Sequence, residues 1–357
     1  MADYEILTTS DAEKWNQYLS MLPVEQQDVY FTPEYYKLYE NNGDGIAYCF
    51  VFKDHNNLAL YPFLMNRIND LGYDLDDEYY DIQGAYGYNG VIASSQDNEF
   101  ISKFYKFFNF FAKKNNIICE FTRFHPLLNN VEFSKNFLSI SYDRYTIALK
   151  LNVPYEEIFT KYYSGNNRNM LRKANKSIMR IDIGNTSEYY KKFVNIYYET
   201  MDKVNAEREY YFSEQYFNSF NILLSDNSFV IMLFDGFEYI AGGLFLQYGI
   251  YTHYHLSGRS SLCSLNFASN IIIDSAVKYS QEKNCSFIHL GGGRTNNEND
   301  SLLKFKRNFS PNKYNFYIGK VIHNINIYNS IISQWKEKYP LAAAKYSNQL
   351  QGYRHQF

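Results

Sequence analysis

One stretch, residues 228–293, changes its apolar period part-way along, and that change limits what the chain can fold into. SFVIMLF, YIAGGLFLQ and IYTHYHL are short apolar or β-branched runs parted by turn residues, as strands are. Asp235-Gly236 between the first two is a hairpin signal, and Gly249 breaks the second run from the third. From Leu265 the spacing turns helical, with Leu265, Ala268, Ile271, Ile272, Ala276 and Tyr279 on one face and Ser264 at the N-cap position. A last apolar run, SFIHL, closes on Gly291-Gly292-Gly293. The order is meander, loop, helix, strand.

A loop entering a helix points unpaired N–H groups and the positive end of the helix dipole outward, a place that suits phosphate. Placed after a meander, it resembles the coenzyme A site of the GNAT acyltransferase superfamily. The superfamily's loop has Arg or Gln, two residues, Gly, one residue, then Gly or Ala. Here Arg259 leads Ser260, Ser261, Leu262, Cys263 and Ser264, so the Arg fits and the glycines are missing.

The chain has 357 residues, which sets an expectation of two domains. In order, residues 1–41 read as helical pieces, with Thr32-Pro33-Glu34 as a helix start. AYCFVFK and LALYPFLM read as strands around a turn at 54–57, DLDDEYYD as a loop, YGYNGVI as a strand, NEFISKFYKFFNFFAKK as a helix and IICEF as a strand. This repeats the element order of 228–293 with few letters shared, and predicts two copies of one α/β domain. The expected division is 1–152, 153–322 carrying the donor site, and a helical segment 323–357 packing back on the first domain. Residues 154–180 read as two helices, with Arg168, Arg172 and Lys176 on one face.

Net charge is −3, which argues against a large nucleic-acid-binding surface. Cys49, Cys119, Cys263 and Cys285 lack metal-ligand spacing, so no metal is expected. No apolar run of about 18 residues predicts a membrane span, and no leader-like segment stands at the start, so a cytoplasmic location is expected.

Several pieces together resemble FemABX-type transferases: YGYNG (86–90), RFHPLLNN (123–130), NNRNMLRKANK (166–176), YYETMDKVNA (197–206) with YYFSEQYF (210–217), YHLSG (254–258) and LLKFKRNF (302–309). They span most of the chain. The resemblance implies two tandem GNAT-like domains, each a mixed, mostly antiparallel sheet flanked by helices. It implies an N-acyltransferase using an acyl-CoA such as 3-hydroxybutanoyl-CoA. The acceptor would be the amino group of a dTDP-type nucleotide-linked amino-dideoxy sugar for O-antigen, capsule or other surface polysaccharide. The alternatives are a transferase adding an amino acid from aminoacyl-tRNA to a peptidoglycan precursor, and a degenerate binding protein without catalysis. tRNA is a partner only under the first alternative, and the chain is too short between helices for the coiled-coil arm of some tRNA users.

By the resemblance, Lys306 corresponds to a basic position near the acyl donor, and Tyr254 to an aromatic position near the acceptor's phosphates. Lys203 or Arg208 corresponds to a basic acceptor-binding position. Tyr88 and Arg294 complete the substrate-binding candidates. The donor would be held by Leu256, Arg259, Ser260, Ser261, Ser264 and Leu265 together with Lys306. Amine attack on a thioester needs a proton acceptor, a held carbonyl and oxyanion donors. Candidate bases are His255, Asp202 and Glu207, His255 because imidazole titrates near neutrality.

Overall fold

The computed structural model describes residues 2–176, 179–207 and 210–357. They form two compact units. The first comprises Met1–Gln26, Tyr30–Asp143 and Phe316–Phe357, the second Gln27–Val29 and Arg144–Asn315. Both main boundaries fall inside strands, Ser139–Lys150 and Lys313–Ile322.

In the first unit, Asp3–Thr8, Ile46–Asp54, Asn57–Arg67 and Tyr80–Gln83 form an antiparallel run, in that order. Ile117–Arg123 lies parallel to Tyr80–Gln83, and Lys313–Ile322 lies antiparallel beyond it. The helix Asn98–Lys114 joins the two parallel strands in sequence. Asp97 caps it, accepting from Phe100 N at 2.9 Å. Phe100, Phe104, Phe108 and Phe111 recur every three or four residues, so they share one face. That face packs on Phe50, Phe52, Tyr61 and Phe63 of the sheet, and all are buried. The helices Ile325–Lys338 and Pro340–Tyr346 cluster with Ile118, Cys119 and Tyr353 of this unit.

The second unit repeats the layout. Met179–Gly184, Ser228–Asp235, Glu238–Tyr248 and Tyr251–Arg259 run antiparallel. The helix Ala268–Glu282 leads to Phe287–Gly291, parallel to Tyr251–Arg259, with residues 147–150 antiparallel beyond it. Ile271, Ile272, Ala276 and Val277 of the helix pack on Phe229, Ile231, Ala241 and Phe245. The fold is therefore mixed α/β with a duplicated sheet-and-helix core. All four cysteines are free. Among the described residues no helix is long and apolar enough to cross a membrane.

Four local expectations are corrected. Asp3–Thr8 is an edge strand rather than part of a helical piece, because pairing with residues 48–53 satisfies its backbone where local propensity is weak. Tyr80–Gln83 is the third meander strand of the first unit. YGYNGVI contributes only Ile92–Ala93, since Gly87 and Gly90 hold φ values of +101° and +103° that a strand does not use. Met179–Gly184 is a strand added to the edge at Ser228–Asp235, not a helix. The helix expected from Leu265 with Ser264 as cap starts at Ala268 after Phe267, which gives no side-chain cap.

Candidate active site

In the second unit the two parallel strands part. Their ladder runs only from Tyr251–Phe287 through Thr252–Ile288 to His253–His289, while the first strand continues to Arg259. The cause lies on that strand's other edge. Leu244 pairs with Leu256 and Phe245 with Tyr254, leaving His255 as an extra residue. Such a bulge bends a strand and raises its twist. The bend falls two residues after the last parallel pair, so residues 254–259 swing away and a fork opens. Along a strand, backbone groups point alternately to its two edges. Alternate amides between residues 254 and 258 therefore point to the fork's side, while Arg259 N is already taken by Thr200 Oγ1 at 2.7 Å.

Lys306 stands by the second arm of the fork. It lies on the short helix Ser301–Arg307, whose cap Asp300 accepts from Leu303 N at 3.0 Å. Its Nζ donates to Gly292 O at 2.7 Å. The side chain is nearly buried, and loss of solvent pulls the ammonium down to about 7, with Asp300 opposing that shift.

At the base of the fork lies a buried polar row. Asp28 Oδ2 and His253 Nε2 are 2.7 Å apart, the His253 and His289 rings are 5.6 Å apart, and His289 Nε2 is 2.9 Å from Thr146 Oγ1. Burial, then the charges of His253 and Lys306, push His289 well below the ordinary imidazole range. Asp28, His289 and Thr146 carry no motif and are absent from the sequence-level candidates.

The loop after the fork differs from what its sequence suggested. Ser260 N donates to Ile240 O, Ser261 N to Glu199 Oε2 at 2.6 Å, Leu262 N to Ser260 Oγ and Cys263 N to Ser260 O. All four amides are thus satisfied by the chain itself. Arg259 is turned inward too: its Nη2 donates to Leu265 O at 2.6 Å and Cys263 O at 3.4 Å. Ser264 and Leu265 precede the helix by a turn and do not cap it. Leu256 is a buried strand residue paired with Leu244. The stretch 260–263 of the loop expected to hold a pyrophosphate is therefore closed on itself, with a carboxylate on Ser261 N.

Of the candidate bases, His255 bonds the Tyr216 hydroxyl at 3.0 Å, and burial pulls it down to about 3, so it stays neutral through the physiological range. A catalytic base works best with a pKa near the working pH, which a group held this low does not meet; His255 is also the extra residue of the bulge. Asp202 is exposed and accepts from Tyr211 OH at 2.9 Å, and Glu207 is exposed. Lys203 is exposed at the end of the helix Ser187–Lys203, and Arg208 lies outside the described residues.

Tyr254 stacks on Phe245 at 5.3 Å and packs against the core under the helix Ala268–Glu282. Burial pushes its hydroxyl up to about 12. The ring thus packs on the core, and the residue is half-buried rather than openly exposed. Arg294 is exposed, in the loop after the fork. Tyr88 belongs to the first unit, where its ring meets Tyr30, His125 and Phe316.

No protein-family model matches the chain, and no curated protein matches it in sequence. Solved structures do match in fold. FemX superposes with a TM-score of 0.69 at 12% identity, over 92% of this chain and 99% of FemX. L-PGS from Bacillus licheniformis gives 0.56 at 12%, over 87% and 91%. A tandem GNAT protein from the clavulanic acid biosynthesis pathway gives 0.52 at 8%, over 91% and 99%. The chain thus has the FemABX-type fold, with two GNAT-like units.

Proposed function

We propose that the chain is an acyltransferase that joins an acyl group from an activated carrier to an amine. The observation that carries this reading is the fork of the second unit, opened by the His255 bulge and bearing Lys306 at one arm. A carbonyl lying against the bent strand meets backbone N–H donors. The Lys306 ammonium faces the charge that builds on the carbonyl oxygen as nitrogen attacks. The new C–N bond forms, the bond to the carrier breaks, and the proton shed by the amine ends on the leaving sulfur or oxygen. No step needs His255 as a base.

The finer reading is transfer from acyl-CoA to the amino group of a nucleotide-linked amino-dideoxy sugar, with Lys203 and Arg294 as exposed cations for the acceptor's phosphates. A second reading, an aminoacyl ester of tRNA passed to a peptidoglycan precursor, has one observation in its favour: the closed loop at Ser261. The test is to incubate the protein with acyl-CoA and a dTDP-amino sugar, and separately with aminoacyl-tRNA and a peptidoglycan precursor, and to follow the N-acyl product by mass spectrometry. Product in one arm assigns the carrier. No product in either arm, with no binding of any of the four compounds, overturns the reading.

A further inference from the structure

By the GNAT resemblance the loop 260–265 would cradle phosphate, yet its Ser261 amide is already held by an anion from within the chain. Glu199 Oε2 lies 2.6 Å from Ser261 N and 3.2 Å from Ser260 Oγ. The bond from the Ser261 amide is the main influence holding this carboxyl below its usual range, so it stays ionised.

The placement is built into the fold at two adjoining points. Gly258 lets the helix Ser187–Lys203 approach the strand: a Cβ there would stand 2.6 Å from Ile196 O and 2.8 Å from Tyr197 N. One residue on, Arg259 N donates to Thr200 Oγ1 at 2.7 Å. With Ile196 and Thr200 both registered on the strand end, Glu199 is delivered to the loop by the same turn of helix. Arg259, the side chain best suited to attract phosphate, is engaged by the loop's carbonyls.

We infer that Glu199 is a donor-selecting residue, an internal anion that holds the place of a pyrophosphate at Ser260–Ser261. Carriers gripped there by their phosphates must displace it, and carriers whose phosphates sit elsewhere are favoured. This rests on the transferase reading above, but it concerns binding and can be tested apart from turnover. A carboxylate and a pyrophosphate compete for the same N–H and repel each other at close range.

The experiment measures, by isothermal titration, the affinities of inorganic pyrophosphate and coenzyme A for the full chain and for Glu199→Gln and Glu199→Ala. The amide variant keeps the side chain's shape and guards against a packing defect in the alanine variant, and thermal melts check both. Each ligand is expected to bind at least about tenfold tighter once the charge is gone. Unchanged or weaker affinity in a folded Glu199→Gln protein overturns the inference. So does a coenzyme A complex of the unaltered chain with pyrophosphate on Ser261 N and Glu199 still in place. Tighter binding without turnover by any donor upholds Glu199 and removes the transferase reading. Turnover of acyl-CoA with affinity unmoved by the substitutions does the reverse.

Discussion

The two units share a layout and differ at one joint. In the first, the parallel pair is closed: Tyr80–Gln83 pairs along its whole length with residues 117–121. Beyond Gln83 the gap is sewn by side chains. Arg123 Nη2 donates to Gly84 O at 3.3 Å and Ala85 O at 2.9 Å, Arg123 N donates to Asn89 Oδ1 at 2.7 Å, and Asn89 N donates to Arg123 O at 2.7 Å. Gly84 lets Asn89 in, since a Cβ there would stand 2.3 Å from its amide carbon. On the same short strand, Asp81 is fully buried and bridged by Arg354 at 2.6 and 2.8 Å and by the Tyr353 hydroxyl at 2.5 Å. In the second unit, among the described residues, the parallel ladder ends at His253–His289 and the bulge at His255 follows it. The same order of elements thus yields a closed joint in one copy and, in the other, an open fork on which the proposed transferase reading rests. What decides is where the extra residue falls and whether a side chain fills the gap.

The largest expected effect would break the closed joint. Replacing Asp81 by Ala leaves a buried phenol and a partly exposed guanidinium without their shared acceptor, and removing the buried partner of such a pair costs up to about 3–5 kcal/mol. Chemical denaturation should show a loss of this size. A loss under about 1 kcal/mol would mean that the joint carries little of the first unit's stability, and the contrast drawn above would fail.

Next comes the open joint. Lys306→Met keeps the aliphatic stem and removes the ammonium, and turnover should fall about 10²–10³-fold, the usual result of removing one oxyanion donor. Because burial pulls Lys306 down to about 7, the charged form is lost above that pH, so the rate of the unaltered protein should decline on the alkaline side of neutrality. Lys306→Arg should hold its rate further into alkali. Stability moves the opposite way. The folded chain releases this proton near 7, and the unfolded chain keeps it to near 10.5, so stability rises with pH across that interval and the Met variant lacks the rise. A pH–rate curve unchanged in Lys306→Met would assign the break to another group. His255, already neutral there, is not that group.

How much of this was legible in the sequence follows the same division. Elements with a clean period were readable: the helix Asn98–Lys114 from its phenylalanine spacing, the hairpin at Asp235-Gly236 from its turn residues, the duplicated order from its succession of periods. The strands Asp3–Thr8, Tyr80–Gln83 and Met179–Gly184 were not, because partners far away in sequence satisfy their backbones. In the site, Lys306 was singled out by the FemABX resemblance of the stretch 302–309. The bulge at His255 leaves no mark in the sequence, as it exists only relative to Glu238–Tyr248. Glu199 reads as any surface glutamate of an amphipathic helix until Gly258 and Thr200 fix where that helix lies. The loop's serines suggested open amides, and only the fold shows that their partners are internal.

The smallest effect separates a real helix cap from an apparent one. In the first unit Thr32 precedes Pro33–Asn42 with extended backbone, and its side chain accepts from Tyr35 N at 3.2 Å. Thr32→Ala should cost about 1 kcal/mol, the ordinary price of a lost N-cap. Ser264 looks equally suited in sequence, but it lies a turn before the helix that begins at Ala268, and Phe267 occupies the cap position. Ser264→Ala should therefore leave the melting temperature unchanged. A loss at Ser264 matching that at Thr32 would mean that the helix starts near Leu265 in solution. The loop amides would then face outward, and the second unit would regain the phosphate cradle that its structure closes.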